Sequence, residues 1–294
     1  MARTIDWNAV GAELKASTEK KKYVREIDPN LYEPKLNTEG SFDGIIRFLP
    51  SPAGENVQIA TVYSHSFEVN GKWLISKCPQ TLGRTHKCPI CEYSSSKWVR
   101  NPAKDSPEEF KNKETVKQFK KGSYYINVLI IKDNNSPENN GLVKIFRLPK
   151  KIYAKIVAKM NPSEEDVLAG ESPEPVMDFV KGANFKLKIR SKKVNGFTNL
   201  QKDYDLSEFA SSSKIGPDEY IEEIDSKLIS LLPYVQSEIE TYEKLQGRLD
   251  RVLGVTTQSP SGQAVERSSS SSNVVKDTSE EDEDDEFLRK LREG

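Results

Sequence analysis

All three cysteines of this chain fall within fourteen residues, and two of them, Cys88 and Cys91, form a Cys-x-x-Cys knuckle in the segment HKCPICEY, residues 86–93. Thiolates at that spacing either hold half of a tetrahedral metal site or cycle as a redox pair, and the surrounding residues decide which. Upstream, the segment YSHSFEVNGKWLISKC places Asn70-Gly71 between two alternating runs, the pattern of a two-residue hairpin turn. With that turn, facing residues have numbers that add to 141, so Phe67 opposes Leu74, His65 opposes Ser76 and Tyr63 opposes Cys78. His65 and Cys78 then project from one face as diagonal neighbours, about 7 Å apart at Cβ and within reach of a common ion. Hairpin and knuckle together offer four donors: His65, Cys78, Cys88 and Cys91.

A Cys3His set fills every position of a tetrahedron, which points to one structural zinc ion and leaves no place for a reacting water. His86 is the rival fourth donor, but it stands only two residues before Cys88, where simultaneous ligation is cramped. Two further readings compete. The thiols could be buried and inert, or the knuckle could serve a dithiol oxidoreductase. The latter needs a βαβ setting, whereas a hairpin precedes this motif. With two histidines in the whole chain, no glycine-rich phosphate loop and no catalytic triad, there is little material for acid-base or nucleophilic chemistry. A non-enzymatic binding protein is expected.

The elements that must carry these donors are mainly strands. Short β-like runs, GIIRFLP, QIATVYSHSFEV, KWLISKC, SYYINVLIIKD, LVKIFRLP and NFKLKIRS, alternate with proline, glycine and asparagine clusters from Gly44 onward. They predict an α+β chain with a mainly β core, an antiparallel barrel or sandwich. Phe48 and Phe185 sit in apolar alternation and read as core. After Gly216 the period turns helical, and Val235, Ile239, Tyr242, Leu245, Leu249 and Val252 form one apolar stripe that needs a partner surface. Residues 1–22 read as a short helix with Trp7, Val10 and Leu14 on one side, on an arm ending in Lys20, Lys21 and Lys22. Residues 256–294 are a serine-rich linker and an acidic tail, a composition that predicts disorder. No run approaches a membrane span and no secretory pattern opens the chain, so a soluble, intracellular protein without membrane contact is expected.

The net charge of -1 averages two unlike regions. Residues 261–294 hold five basic and ten acidic side chains, which leaves 39 basic and 35 acidic before them. Within that body no acidic residue occurs between Asn139 and Ser163, while Lys144, Arg147, Lys150, Lys151, Lys155 and Lys159 do. The same holds from Lys181 to Lys202, with Lys186, Lys188, Arg190, Lys192 and Lys193. Tyr124, Tyr125, Phe146, Tyr153, Phe185, Phe197 and Tyr204 interleave with these cations. Cations that track phosphates and rings that stack on bases are the two ingredients of sequence-tolerant single-strand binding. Each also has an ordinary reading, a solvated charged face and a packed core aromatic. A tethered polyanion beside such a cleft would compete with nucleic acid and, once displaced, recruit basic partners.

Taken in order, IIRFLP, SHSFEVNGKW, CPICEY, SYYINVLIIKD, PENNGLVKIFRLPKKIYAKI and GANFKLKIRSKKVNGF resemble the single-stranded-DNA-binding, helix-destabilising proteins of T4-like bacteriophages over about residues 40–205. The resemblance implies an OB-fold with a zinc-containing subdomain, about residues 60–125, inside a binding core of residues 23–255. It also implies cooperative, sequence-independent coating of single strands and a role in phage replication, recombination and repair within the cytoplasm of the infected bacterial host. The family's arm, here residues 1–22, mediates self-association along the strand, and its acidic tail, here residues 256–294, binds phage replication, recombination and repair proteins. Its zinc ligands fall on His65, Cys78, Cys88 and Cys91. Its strand-contacting aromatics fall on Tyr124, Tyr125, Phe146 and Phe197, and its cleft cations on Arg47, Lys120, Lys121, Arg147, Lys150 and Lys151. Lys72, Lys188, Arg190, Lys192 and Tyr204 complete the expected contact set. The chain departs from the family just before the knuckle, where Thr85 or His86 stands in place of an aromatic. An RNA-binding, translational regulatory module is the alternative that the same cations and rings could serve.

Overall fold

A computed structural model describes residues 28–69, 71–116, 118–193 and 200–255. The chain divides into two compact units, and every element below belongs to the one that contains residues 30–255; of the other, only Asp28 and Pro29 are described. The arm, the acidic tail, Asn70 and Phe197 lie outside the described residues.

Nine strands form one sheet: β1 (Leu31–Tyr32), β2 (Ser41–Leu49), β3 (Ala60–Val69), β4 (Lys72–Lys77), β5 (Lys121–Asp133), β6 (Val143–Leu148), β7 (Ala183–Lys192), β8 (Gln201–Asp203) and β9 (Glu208–Ser212). The main path runs β1-β6-β5-β2-β7-β8, with β3 and β4 joined through β5 and with β9 on β7. All pairings are antiparallel except β1 with β6. The predicted runs all appear as strands because alternation of apolar side chains fits a pleated surface whose faces differ. β5 is long enough to serve two partners along one edge: Lys121–Tyr125 pairs with β3, and residues 127–133 pair with β2.

The two faces of this sheet bury different sets. One face carries Phe42, Ile46, Phe48, Ile126, Val128, Phe146, Phe185 and Leu187, closed over by Ile152 and Ile156 of helix α3 (Lys150–Met160). The reading of Phe48 and Phe185 as core holds, with ring centroids 5.2 Å apart. The other face, at Leu49, Leu129 and Ile145, is covered by chain after Gly216, including Ile224 and Leu231. The Asn127 amide clasps that cover, donating to the Ile229 carbonyl at 2.8 Å and accepting its N–H at 3.1 Å.

The helical stripe expected from Val235 to Val252 is broken. Helix α6 (Leu232–Gln236) ends at Ser237, Glu238 takes a left-handed φ of 59°, and the Thr241 side chain caps a new helix, α7 (Tyr242–Leu253), by accepting from Lys244 N–H. A residue with positive φ cannot continue a right-handed helix. Val235 therefore packs beneath β6, whereas Leu245, Leu249 and Val252 pack on the cysteine-bearing hairpin. Among the described residues no helix is long and apolar enough to cross a membrane.

Candidate metal centre and nucleic-acid interface

The hairpin β3–β4 has the register that its turn predicts: His65 faces Ser76, Phe67 faces Leu74 and Val69 faces Lys72. Gly71 adopts φ +72°, the left-handed conformation that a two-residue turn requires. At the hairpin root the Cys78 N–H donates to the Tyr63 carbonyl at 2.8 Å, extending the pairing by one position. Each pole of the cluster then opens into a helical turn. Cys78 stands at the N-cap position of a 3-10 turn, Pro79–Leu82, and Cys88 at that of helix α1 (Pro89–Lys97), neither with a side-chain capping bond and both followed by proline at the first helical position. Proline there gives up no hydrogen bond, and a helix N-terminus favours a thiolate.

His65, Cys78, Cys88 and Cys91 bring one ligand atom each to within 4.8 Å of one another. The Cys78 and Cys91 sulfurs are 3.7 Å apart, and His65 Nε2 lies 3.5 Å from Cys88 Sγ and 3.6 Å from Cys91 Sγ. A tetrahedral ion with bonds of about 2.3 Å to sulfur and about 2.05 Å to nitrogen places sulfurs roughly 3.8 Å apart and sulfur roughly 3.5 Å from nitrogen. The donors therefore stand where one metal ion would hold them. His65 Nδ1 lies 3.1 Å from the Gln118 carbonyl, so Nδ1–H donates there and Nε2 offers its lone pair to the cluster. His86, the rival donor, is exposed on the loop before Cys88.

Charge strengthens the case. Hydrogen bonds from Cys78 and then Cys91 hold the Cys88 thiol far below its usual range, while the contacts with Cys78 and Cys88 push the Cys91 thiol up. Three touching sulfurs ionise together only around a cation, which a divalent metal supplies. The surrounding wall is apolar, built from Phe67, Leu74, Ile90, Leu245 and Leu249.

The expected strand-contacting residues fall into several environments. Tyr124 and Tyr125, adjacent on β5, point to opposite faces, as strand geometry requires. Tyr124 stacks on Tyr153 of α3 with centroids 3.9 Å apart and an interplanar angle of 6°, whereas Tyr125 packs on Tyr234 at 5.0 Å. Burial and the neighbouring Tyr153 and Tyr63 raise the Tyr124 hydroxyl pKa. Tyr63 faces Gly122 across the β3–β5 pairing, one step along from Tyr124, and Lys120 Nζ lies 4.4 Å from the Tyr63 ring centroid. The half-buried rings Tyr63, Tyr124 and Tyr153 thus form a row with a cation at one end. The contact set from the sequence lacked Tyr63 and Tyr153; the period-2 alternation that puts Tyr63 on the His65 face is the signal for the first.

Arg47, expected among the cleft cations, is 0% exposed, which argues against contact with a strand. Its guanidinium donates to the carbonyls of Asp178 at 2.8 Å and Ser213 at 2.9 Å and to Asn184 Oδ1 at 3.3 Å. Burial lowers its pKa, opposed by the Asp178 carboxylate. Phe146, 4% exposed, packs on Tyr32 in the main core, and Tyr204, 8% exposed, is also a core member. Both are buried by the helix and strands that close over that face, which local alternation does not reveal. Arg147 is exposed beside Ser123, with Lys121 on the same face of β5. Several cations face carboxylates: Lys151 lies 3.6 Å from Asp203 and 3.1 Å from Asp205, Lys192 3.8 Å from Asp203, and Arg190 2.9 Å from Asp43. Lys150 and Lys188 are half-buried, and Lys72 is exposed at the hairpin tip, 3.4 Å from the Arg251 carbonyl.

The family described as gp32 DNA binding protein like matches residues 40–253. The chain is 34% identical over 231 residues to single-stranded DNA-binding proteins of Enterobacteria phage T2 and Enterobacteria phage T4, covering 77% of this chain and 71% of each relative. A single-stranded DNA-binding protein of Escherichia phage SV14 is 38% identical over 74 residues, 25% of this chain and 66% of that protein.

Proposed function

The chain belongs to the gp32 DNA binding protein like family, and on that footing we propose that it coats single-stranded DNA cooperatively and without regard to sequence during phage replication, recombination and repair in the infected cell. The match over residues 40–253 carries this reading, because it spans both the metal-donor cluster and the strands that hold the ring row. In this reading the strand-bearing core is an OB-fold, residues 23–255 are the binding core, and His65, Cys78, Cys88 and Cys91 hold one zinc ion. When bound, zinc supplies folding free energy and no reaction, since four protein donors complete its tetrahedron.

The chain's own residues do the binding. Tyr63, Tyr124 and Tyr153 offer ring faces to bases beside Lys120; Lys150 and Lys151 meet phosphates from α3, Lys121 and Arg147 do so from the Tyr125 face of β5, and Lys72, Lys188, Arg190 and Lys192 extend the cationic track. Phe197, a strand contact by the resemblance alone, lies outside the described residues. Duplex is destabilised by mass action, because a ligand that binds only the open strand shifts the equilibrium toward it. Residues 1–22 provide contact between neighbouring copies, and the acidic residues 256–294 compete with DNA for the cations and recruit other replication proteins.

Titration of the full chain with oligo-dT across a salt series, with zinc quantified on the same sample, tests the reading. Binding that weakens linearly in log salt, at about one zinc per chain, is expected. Preference for hairpin RNA over oligo-dT at equal salt would reassign the protein to RNA, and a metal-free protein that binds normally would remove the structural zinc.

A further inference from the structure

We propose that Gln80 is a positioning residue for strand binding, holding the Lys120 ammonium over the Tyr63 ring so that the metal-bearing turn and the binding face act as one unit. The proposal rests on the single-strand reading above.

Gln80 lies in the 3-10 turn that begins at the metal donor Cys78. That turn grips Tyr63 through its backbone. The Thr81 hydroxyl accepts the Tyr63 N–H at 2.9 Å and donates to the Tyr63 carbonyl at 3.2 Å, and the Cys78 N–H donates to the same carbonyl. From the same turn, Gln80 Oε1 accepts from Lys120 Nζ and lies 3.8 Å from Cys91 Sγ. Lys120 itself follows Gln118, whose carbonyl receives the His65 imidazole N–H. Both members of the Tyr63–Lys120 pair are therefore anchored to the metal-donor cluster, from opposite sides.

The acceptor's chemistry matters. A carboxylate would hold the ammonium and also offset part of its charge, as Asp203 and Asp205 do for Lys151. An amide oxygen holds the ammonium and leaves its charge for a phosphate. A lysine fixed in this way has already given up much of its rotamer freedom, so less is lost on binding. Gly122 lets the two rings approach the strand closely: a Cβ there would stand 3.3 Å from the Tyr124 hydroxyl and 3.6 Å from the Tyr63 ring.

The test is a double-mutant cycle on the zinc-loaded full chain, with oligo-dT as the probe. One single-strand phosphate contact contributes a salt slope of about 0.7, equivalent to roughly eightfold in affinity at 0.05 M salt. Lys120→Gln is expected to show that loss, and Gln80→Met, which keeps length without an acceptor, about a threefold loss. Because Gln80 acts through Lys120, the double variant should bind within about twofold of Lys120→Gln alone. Additive losses, or unchanged affinity in Gln80→Met, would overturn the proposal. So would loss of zinc from Gln80→Met, which would assign Gln80 to the metal centre alone. A wild-type protein indifferent to oligo-dT would instead overturn the single-strand reading.

Discussion

Replacing Arg47 by methionine separates a structural role from a strand-contacting one. The substitution keeps most of the packed stem but removes the guanidinium, which donates at 2.8 Å and 2.9 Å to the carbonyls of Asp178 and Ser213 and at 3.3 Å to Asn184. Two well-made bonds from a charged donor contribute about 1.5–3 kcal/mol each, so their removal costs about 3–6 kcal/mol. Against this, Arg47 Nε is buried without a partner in the folded protein, a cost of about 1–3 kcal/mol that the substitution relieves. Taking the middle of each range, about 4.5 less about 2, the net expectation is a destabilisation of about 2.5 kcal/mol, or roughly 5–10 °C in melting temperature for a folded region of this size. Urea titration followed by circular dichroism reads the first quantity, and an oligo-dT titration across a salt series reads any phosphate contact. Lower stability with an unchanged salt slope is expected. Unchanged stability together with a slope reduced by about 0.7 would show that Arg47 reaches the DNA and that its burial has been misjudged.

Chelating the metal, or substituting Cys88→Ala, should unprotect the amides of β4, α1 and α7 while residues 126–130 keep their protection, since their buried clusters share no residue. At occupancy a thousandfold above dissociation the change is about 4 kcal/mol, and hydrogen exchange showing uniform loss or none would contradict it. The Asp203 carboxyl is held below its usual range first by the Asp205 N–H and then by Lys151 and Lys192. Its folded pKa is depressed, so its stabilising contribution is present above the ordinary carboxylate range and is lost as pH falls through that depressed value. Asp203→Asn should free cationic charge and raise oligo-dT affinity about two- to fivefold at low salt; weaker binding would remove Lys151 and Lys192 from the DNA track. Truncation after Thr256 should strengthen DNA binding at low salt and matter little near 1 M salt, where charges are screened beyond about 3 Å; unchanged low-salt affinity would count against a competing tail.

What was legible in the sequence was whatever local geometry determines. The hairpin register puts His65 and Cys78 on one face, so two of the four donors follow from residue numbers alone. What was not legible depends on distant chain. Arg47 alternates with Ile46 and Phe48 and would face solvent on a sheet covered on one side; the backbone of residues 178 and 213 buries it. The split of the C-terminal stripe depends on the backbone turn at Glu238, where side-chain periodicity continues without interruption. Tyr124 and Tyr125 were grouped by resemblance although a period of two already separates them.

The stretch from Gln118 to Tyr125 shows why the metal should tune binding before it affects the rest of the fold. Its first residue orients His65, Lys120 lies over Tyr63, Gly122 gives room for the Tyr63 and Tyr124 rings, and Tyr124 stacks on Tyr153 of α3. The strand then continues into the buried run Ile126–Ile130, whose pairing with β2 and β6 involves no metal donor. A disturbance at the cysteines therefore reaches the ring row through its immediate neighbours in sequence, but meets the main core only after β5 has acquired independent partners. Single-strand affinity should accordingly respond to partial metal loss while the amides of residues 126–130 remain protected.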